Sequence, residues 1–165
     1  MRRWDERPIE VANLLNPAFC GRLLYQSIVG HSEYESKDMP YALFFLVLPL
    51  VLHAPTRAVI SSTTRHFQVW LNAHQEVKLG FAQRAKALVP YTREAVSFLY
   101  SAGAVKVSEQ TAAFGTAAKL RARPRLTFTI SEETRDCIAK ARVVGRWFAR
   151  VNSPATVYAI CGVMP

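Results

Sequence analysis

The twelve residues at 41–52, Y-A-L-F-F-L-V-L-P-L-V-L, carry no polar side chain apart from one tyrosine hydroxyl. A segment this apolar has to leave water along its whole length. A membrane helix needs roughly 20 such residues, and Pro49 interrupts the run as well, so it reads as a buried core helix. At 165 residues the chain is long enough to enclose it, and this is a common size for a single core. Half of the chain is apolar and 20% is charged, which excludes a disordered tail and favours a packed globule. The basic pair Arg2-Arg3 is followed by no apolar signal core, so no targeting segment is visible. The expectation is a soluble cytoplasmic protein with no membrane association.

The net charge is +9. A charge this far from zero concerns partners more than fold, and it favours nucleic acid, an acidic protein surface or a headgroup layer. Its distribution is uneven. Residues 1–64 balance to zero, residues 65–125 carry +7 and residues 126–165 carry +2. The three cysteines, Cys20, Cys137 and Cys161, are scattered among apolar residues. They imply buried thiols and neither a disulfide framework nor a zinc box.

Along the chain, Pro8 can open a short helix to about Leu15, and Asn16-Pro17 reads as a cap with proline at the first helical position. The helix that follows, over 17–29, buries Phe19, Leu23 and Ile28, with Gly30 as its C-cap. Residues 31–39 read as a polar loop, Pro40 opens the buried helix, and 56–60 is a turn or short helix. Helices are expected at 64–74 and 75–88. Pro90 breaks the second, and Thr92 caps a third that buries Val96, Leu99 and Tyr100 and stops at Gly103. The period then changes to two at 104–108 and at 126–130, two strands expected to pair across a basic loop. Ser131-Glu132-Glu133 starts a helix to about residue 151, its buried stripe running through Cys137, Ala141, Val144 and Phe148. Pro154 opens a last helix, closed by Gly162.

These elements predict one domain over 1–165, mainly α with a small β-hairpin (α+β). An apolar helical part spans 1–64, a winged-helix-like core 65–151 and a C-terminal helix 152–165. The core rests on the order helix, turn, helix, strand, basic loop, strand, helix.

The tract K-L-R-A-R-P-R at 119–125 holds Lys119, Arg121, Arg123 and Arg125 with no acid between them. Such a tract touches phosphates or an acidic partner, or is a solvated loop tip. Arg84, Lys86 and Arg93 add to the same basic segment. Arg142, Arg146 and Arg150 recur every four residues, so they share one helix side, either a solvated face or a docking surface for an acidic partner. His31, His53, His66 and His74 show no metal spacing. Glu33, Glu35 and Asp38 sit in one polar segment and read as solvated. No G-x-S-x-G, phosphate loop or H-E-x-x-H occurs, so nothing points to a catalytic centre, a cofactor or a metal.

Four stretches carry a family resemblance: R-P-I-E-V-A-N-L-L-N-P-A-F-C at 7–20, M-P-Y-A-L-F-F-L-V-L-P-L-V-L-H-A-P-T-R at 39–57, G-F-A-Q-R-A-K-A-L-V-P-Y-T-R-E-A at 80–95 and S-P-A-T-V-Y-A-I-C-G-V-M-P at 153–165. Together they resemble the middle component of bacterial three-component ABC systems, a group that includes Lamassu-type anti-phage defence. The resemblance implies a non-enzymatic bridging subunit in a hetero-oligomer. Its partners would be an ABC ATPase of the chromosome-maintenance (SMC-like) type and an effector, often a nuclease, held silent until DNA is sensed. A second reading is a stand-alone winged-helix DNA-binding protein. Against it, the candidate recognition helix offers only Arg93, Glu94 and Ser97 for base readout.

Overall fold

In the computed structural model, residues 8, 14–108, 110–117, 131–151 and 153–163 are described. The expected first helix at 8–15 lies almost wholly outside them, as do the strand at 126–130 and the basic tract at 119–125.

Helix α1 (Pro17–Glu35) starts as its sequence dictates: the Asn16 side chain accepts from the Ala18 amide at 2.8 Å and Pro17 occupies the first turn. It runs past Gly30 and ends at Ser36, in the left-handed region at φ 54°. The C-cap expected at Gly30 and the loop at 31–35 are therefore corrected. Gly30 serves close approach instead. A Cβ there would overlap the Arg142 carbonyl of helix α6 (Glu132–Ala149), and a Cβ at Gly145 of α6 would overlap the Ser27 carbonyl of α1. The two helices cross backbone to backbone through a reciprocal glycine pair.

Helix α2 (Tyr41–Val51) is the apolar run, with Leu43, Phe44, Leu46, Val47, Leu48, Leu50 and Val51 all buried. Its neighbours are α1, α6 and helix α5 (Phe81–Ser101). The short helix α3 (Ala54–Val59) follows, capped by His53, and then α4 (Phe67–Ala73) and a 3-10 turn at Gln75–Lys78. Arg57 of α3 is a buried cation. It donates to the Val51 carbonyl at 3.0 Å, to Glu133 at 2.7 Å and to Asp136 at 3.2 Å. The start of α6 is thus tied to the end of α2. Aromatic rings close the other end, where Trp70 lies 4.8 Å from Trp147 and Phe67 touches Trp70, Trp147 and Phe148.

The expected break at Pro90 is absent, because α5 passes through it as one helix of 21 residues. An internal proline loses one backbone hydrogen bond and costs about 3 kcal/mol. The burial pattern outweighs that cost. Phe81, Ala85, Leu88, Thr92, Ala95, Val96 and Leu99 form a single stripe at helical spacing on both sides of Pro90, and Pro90 itself faces solvent. Thr92 is consequently a buried mid-helix residue that donates to the Leu88 carbonyl at 3.0 Å, not a cap. Tyr100, expected inside, is exposed.

Strands β1 (Met39–Pro40), β2 (Val105–Ser108) and β3 (Ala113–Thr116) form an antiparallel sheet in the order β1-β3-β2. β2 pairs with β3, close by in sequence; the pairing expected with 126–130 lies outside the described residues. Ala112 at φ 46° makes the β2–β3 turn. The mainly α class with a small β element is what the structure has. The helix–turn–helix expected at 75–88 and 93–102 is corrected, since one helix passes through Pro90; the wing strand expected at 126–130 lies outside the described residues. Helix α7 (Pro154–Cys161), capped by Ser153 and Gly162, completes the fold as the sequence indicates.

Candidate docking groove

Helices α2, α5 and α7 and the β2–β3 turn leave between them an open apolar groove of ≈980 Å³. Helix α2 presents its less buried edge, Tyr41, Ala42 and Phe45. The Tyr41 and Phe45 rings meet edge to face at 5.1 Å, and Tyr41 also packs on Phe114 of β3 at 5.5 Å. Helix α5 contributes Ala82, Ala85, Lys86, Val89 and Arg93, whose spacing places them on one face. Helix α7 and its cap bring Tyr158, Gly162 and Val163. The Tyr158 hydroxyl donates to the Ala42 carbonyl at 2.8 Å and pins α7 to α2. Burial pushes its pKa up, so it stays a neutral donor.

Small residues make up much of the lining: Ala42, Ala82, Ala85, Ala112 and Gly162. Among the described residues the charged members of the lining are Lys86 and Arg93, both exposed. They lie seven residues apart on α5, about 10 Å along the axis, and among the described residues neither is ion-paired. Among the described residues no carboxylate, histidine or cysteine lines the groove. Its chemistry is apolar burial with two cations at the rim.

The other sequence-predicted residues fall elsewhere. Lys119, Arg121, Arg123 and Arg125 lie outside the described residues. Arg84 is half-buried and turned onto its own chain, donating to the Leu79 carbonyl at 2.7 Å and the Val77 carbonyl at 3.0 Å, above the Phe81 ring. Arg142, Arg146 and Arg150 do share one side of α6, and that side meets the end of α1. Arg142 binds Glu33 through Nε and Nη2, Arg146 lies 3.9 Å from Glu33, and Arg150 lies 4.7 Å over the Tyr34 ring. Asp38 of that segment pairs with Lys106 at 3.6 Å. Among the described residues no three His, Cys, Asp or Glu side chains gather as metal ligands, and no helix is long and apolar enough to cross a membrane. Cys20, Cys137 and Cys161 are buried free thiols, and burial pushes Cys20 and Cys161 up to about 12.

Sequence reasoning missed the groove's aromatic edge. Tyr41 and Phe45 sit in a run where every position is apolar, so no periodicity marks the exposed side. It also missed Arg57, whose acidic partners lie about 80 positions away.

Fold and groove together define a helical α+β unit with an apolar face that no described residue covers. The sequence profile of the ABC-three component (ABC-3C) system Middle Component 3 matches residues 4–165, and the chain belongs to that family. As one component of a three-component system, it has partner subunits. Nothing matches among curated proteins, and nothing matches among solved structures.

Proposed function

We propose that this chain is a bridging and regulatory subunit without catalytic activity of its own. It links a chromosome-maintenance-type (SMC-like) ABC ATPase to an effector such as a nuclease and restrains that effector until DNA is sensed, in a cytoplasmic complex that defends against phage or plasmids. Membership of the middle-component family supports a role between partners. The identity of those partners follows from the resemblance to Lamassu-type systems.

The observation that carries the reading is the groove. A face built from three helices and left apolar is the kind of surface that marks a protein interaction site. Its occupant, on this reading, is an amphipathic helix of a partner subunit. The small residues at Ala42, Ala82, Ala85 and Gly162 let a helix backbone approach closely, and Lys86 and Arg93 select acidic side chains about two turns apart on that helix. The apolar face supplies most of the affinity, and the two rim cations supply register and association rate. Lys119, Arg121, Arg123 and Arg125 remain proposed contacts to DNA or to an acidic face of the ATPase.

The test is co-expression with the other two components, followed by size exclusion. The chain should elute with both. Double charge reversal, Lys86→Glu with Arg93→Glu, should release one partner while leaving the melting temperature of the isolated chain unchanged. A wild-type chain that elutes alone contradicts the reading.

A further inference from the structure

The loop at 61–65 and the last turns of α6 enclose a polar hollow of ≈270 Å³ that shares no lining residue with the groove. Ser62, Thr63 and Thr64 line it together with Arg65, Arg146 and Arg150, over Val143 and Trp147, and among the described residues no carboxylate does. Beside it lies Glu33, whose Oε1 Arg142 engages through two nitrogens and whose Oε2 lies 3.9 Å from Arg146. One carboxylate thus serves Arg142 and Arg146, and Arg65 and Arg150 have no acidic partner among the described side chains.

The hollow is organised without a ligand. Trp147 Nε1 donates to the Thr64 carbonyl at 2.7 Å, and Arg150 Nη1 donates to the Arg65 carbonyl at 3.3 Å. The amide of Thr63 donates to Ser61 Oγ at 3.2 Å. These bonds fix the loop against α6. Tyr34 holds the plane of the Arg150 guanidinium from beneath, while the bond to Arg65 uses one of its five N–H groups. The Arg65 side chain is exposed and makes no hydrogen bond among the described residues.

We propose that this hollow binds a phosphate group, gripped by the guanidinium forks of Arg65, Arg146 and Arg150 and by the hydroxyls at 62–64. Planar forks match phosphate oxygens in pairs. Three arginines and three hydroxyl residues line the hollow; a carboxylate offers that lining two oxygens, whereas a tetrahedral phosphate offers an oxygen to each wall. The group can come from a DNA backbone or from a free phosphate.

Phenylglyoxal modification of the full chain, read arginine by arginine by mass spectrometry, tests this with inorganic phosphate in one arm and a short DNA duplex in the other. Arg65 should be slowed several-fold while exposed Arg22 on α1 is not. Protection by the duplex identifies a phosphodiester, and protection by inorganic phosphate alone identifies a small ligand. In the duplex case Arg65→Ala should weaken binding equally across DNA sequences and make the salt slope shallower by about one. There Arg65→Lys should restore the slope but not the full affinity, because it returns the charge without the fork. No protection of Arg65 in either arm, or equal slowing of Arg22, overturns the proposal.

Discussion

Two helix contacts in this molecule are built in opposite ways. At the α1–α6 crossing, Gly30 and Gly145 let the backbones touch, and nothing is left between them. At the α2–α5–α7 junction, alanines and a glycine again line the surface, yet ≈980 Å³ stays open above them. The same choice of small residues closes one contact and leaves the other uncovered. The difference is the presence of a second helix: α6 arrives at α1, and no element of the described chain arrives at the groove. On the proposed function, a partner's helix supplies what α6 supplies at the crossing.

The largest expected effect falls on the closed contact. Gly145→Ala or Gly30→Ala drives a methyl into a backbone carbonyl that cannot move aside as a side chain can. We expect a loss of about 3 kcal/mol, roughly a 10 °C fall in melting temperature for a chain of this size. A loss below about 1 kcal/mol would mean that the crossing is looser than described.

Next comes Arg57→Ala, which leaves the Val51 carbonyl without its Arg57 donor, removes the partner of Glu133 and leaves Asp136 only Lys140 at 3.9 Å. Those two acids are largely exposed, so water offsets much of their loss. The cost should be about 2 kcal/mol by urea unfolding.

Phe45→Ala sharpens the contrast from the other side. The ring is half-buried on the groove edge, so the isolated chain should lose only about 1 kcal/mol while partner binding falls far more. A stability loss matching Gly145→Ala would make the groove edge part of the core and remove the contrast.

The smallest effect concerns pH. Burial, and then the charge of Arg84, hold the pKa of His53 below its ordinary value, and its Nδ1 lies 3.4 Å from the Thr56 amide it caps. A folded-state pKa below the unfolded one gives stability that is present above the unfolded value and is lost as pH falls through the folded value. Lowering pH from about 7.5 to about 5.5 should therefore cost a few tenths of a kcal/mol in the wild type. Thermal melts of His53→Asn, which can cap but does not titrate there, should not show this component.

Much of the fold was legible where local chemistry decides. Asn16-Pro17, Ser131 followed by two glutamates, and Pro154 each opened a helix as read, because these signals act within four residues. The run at 41–52 became the central helix because nothing but burial can accommodate it. Legibility failed where a distant partner overrides a local signal. Gly30 looks like a helix end and Pro90 like a break. The first is held helical by the backbone of α6, 112 residues on at Arg142, and the second by a buried stripe that keeps its phase across the proline. The stripe was visible in the spacing of Phe81, Ala85, Leu88, Thr92 and Val96, and the proline masked it. The candidate site was half legible. Lys86 and Arg93 stood out as unbalanced cations, but the apolar floor between them exists only once α2, α5 and α7 are assembled. The hollow at Arg65 depends on the same kind of long-range placement, with 61–65 set against α6.

The most direct test of the central claim, that the groove receives a partner, is hydroxyl-radical footprinting of the chain alone and in the assembled three-component complex. The account predicts that oxidation of Tyr41, Phe45 and Val89 on the groove drops sharply in the complex, while that of Val69 and Leu79, exposed apolar residues away from it, does not. Unchanged oxidation of Tyr41 and Phe45 in a complex that contains this chain would contradict it.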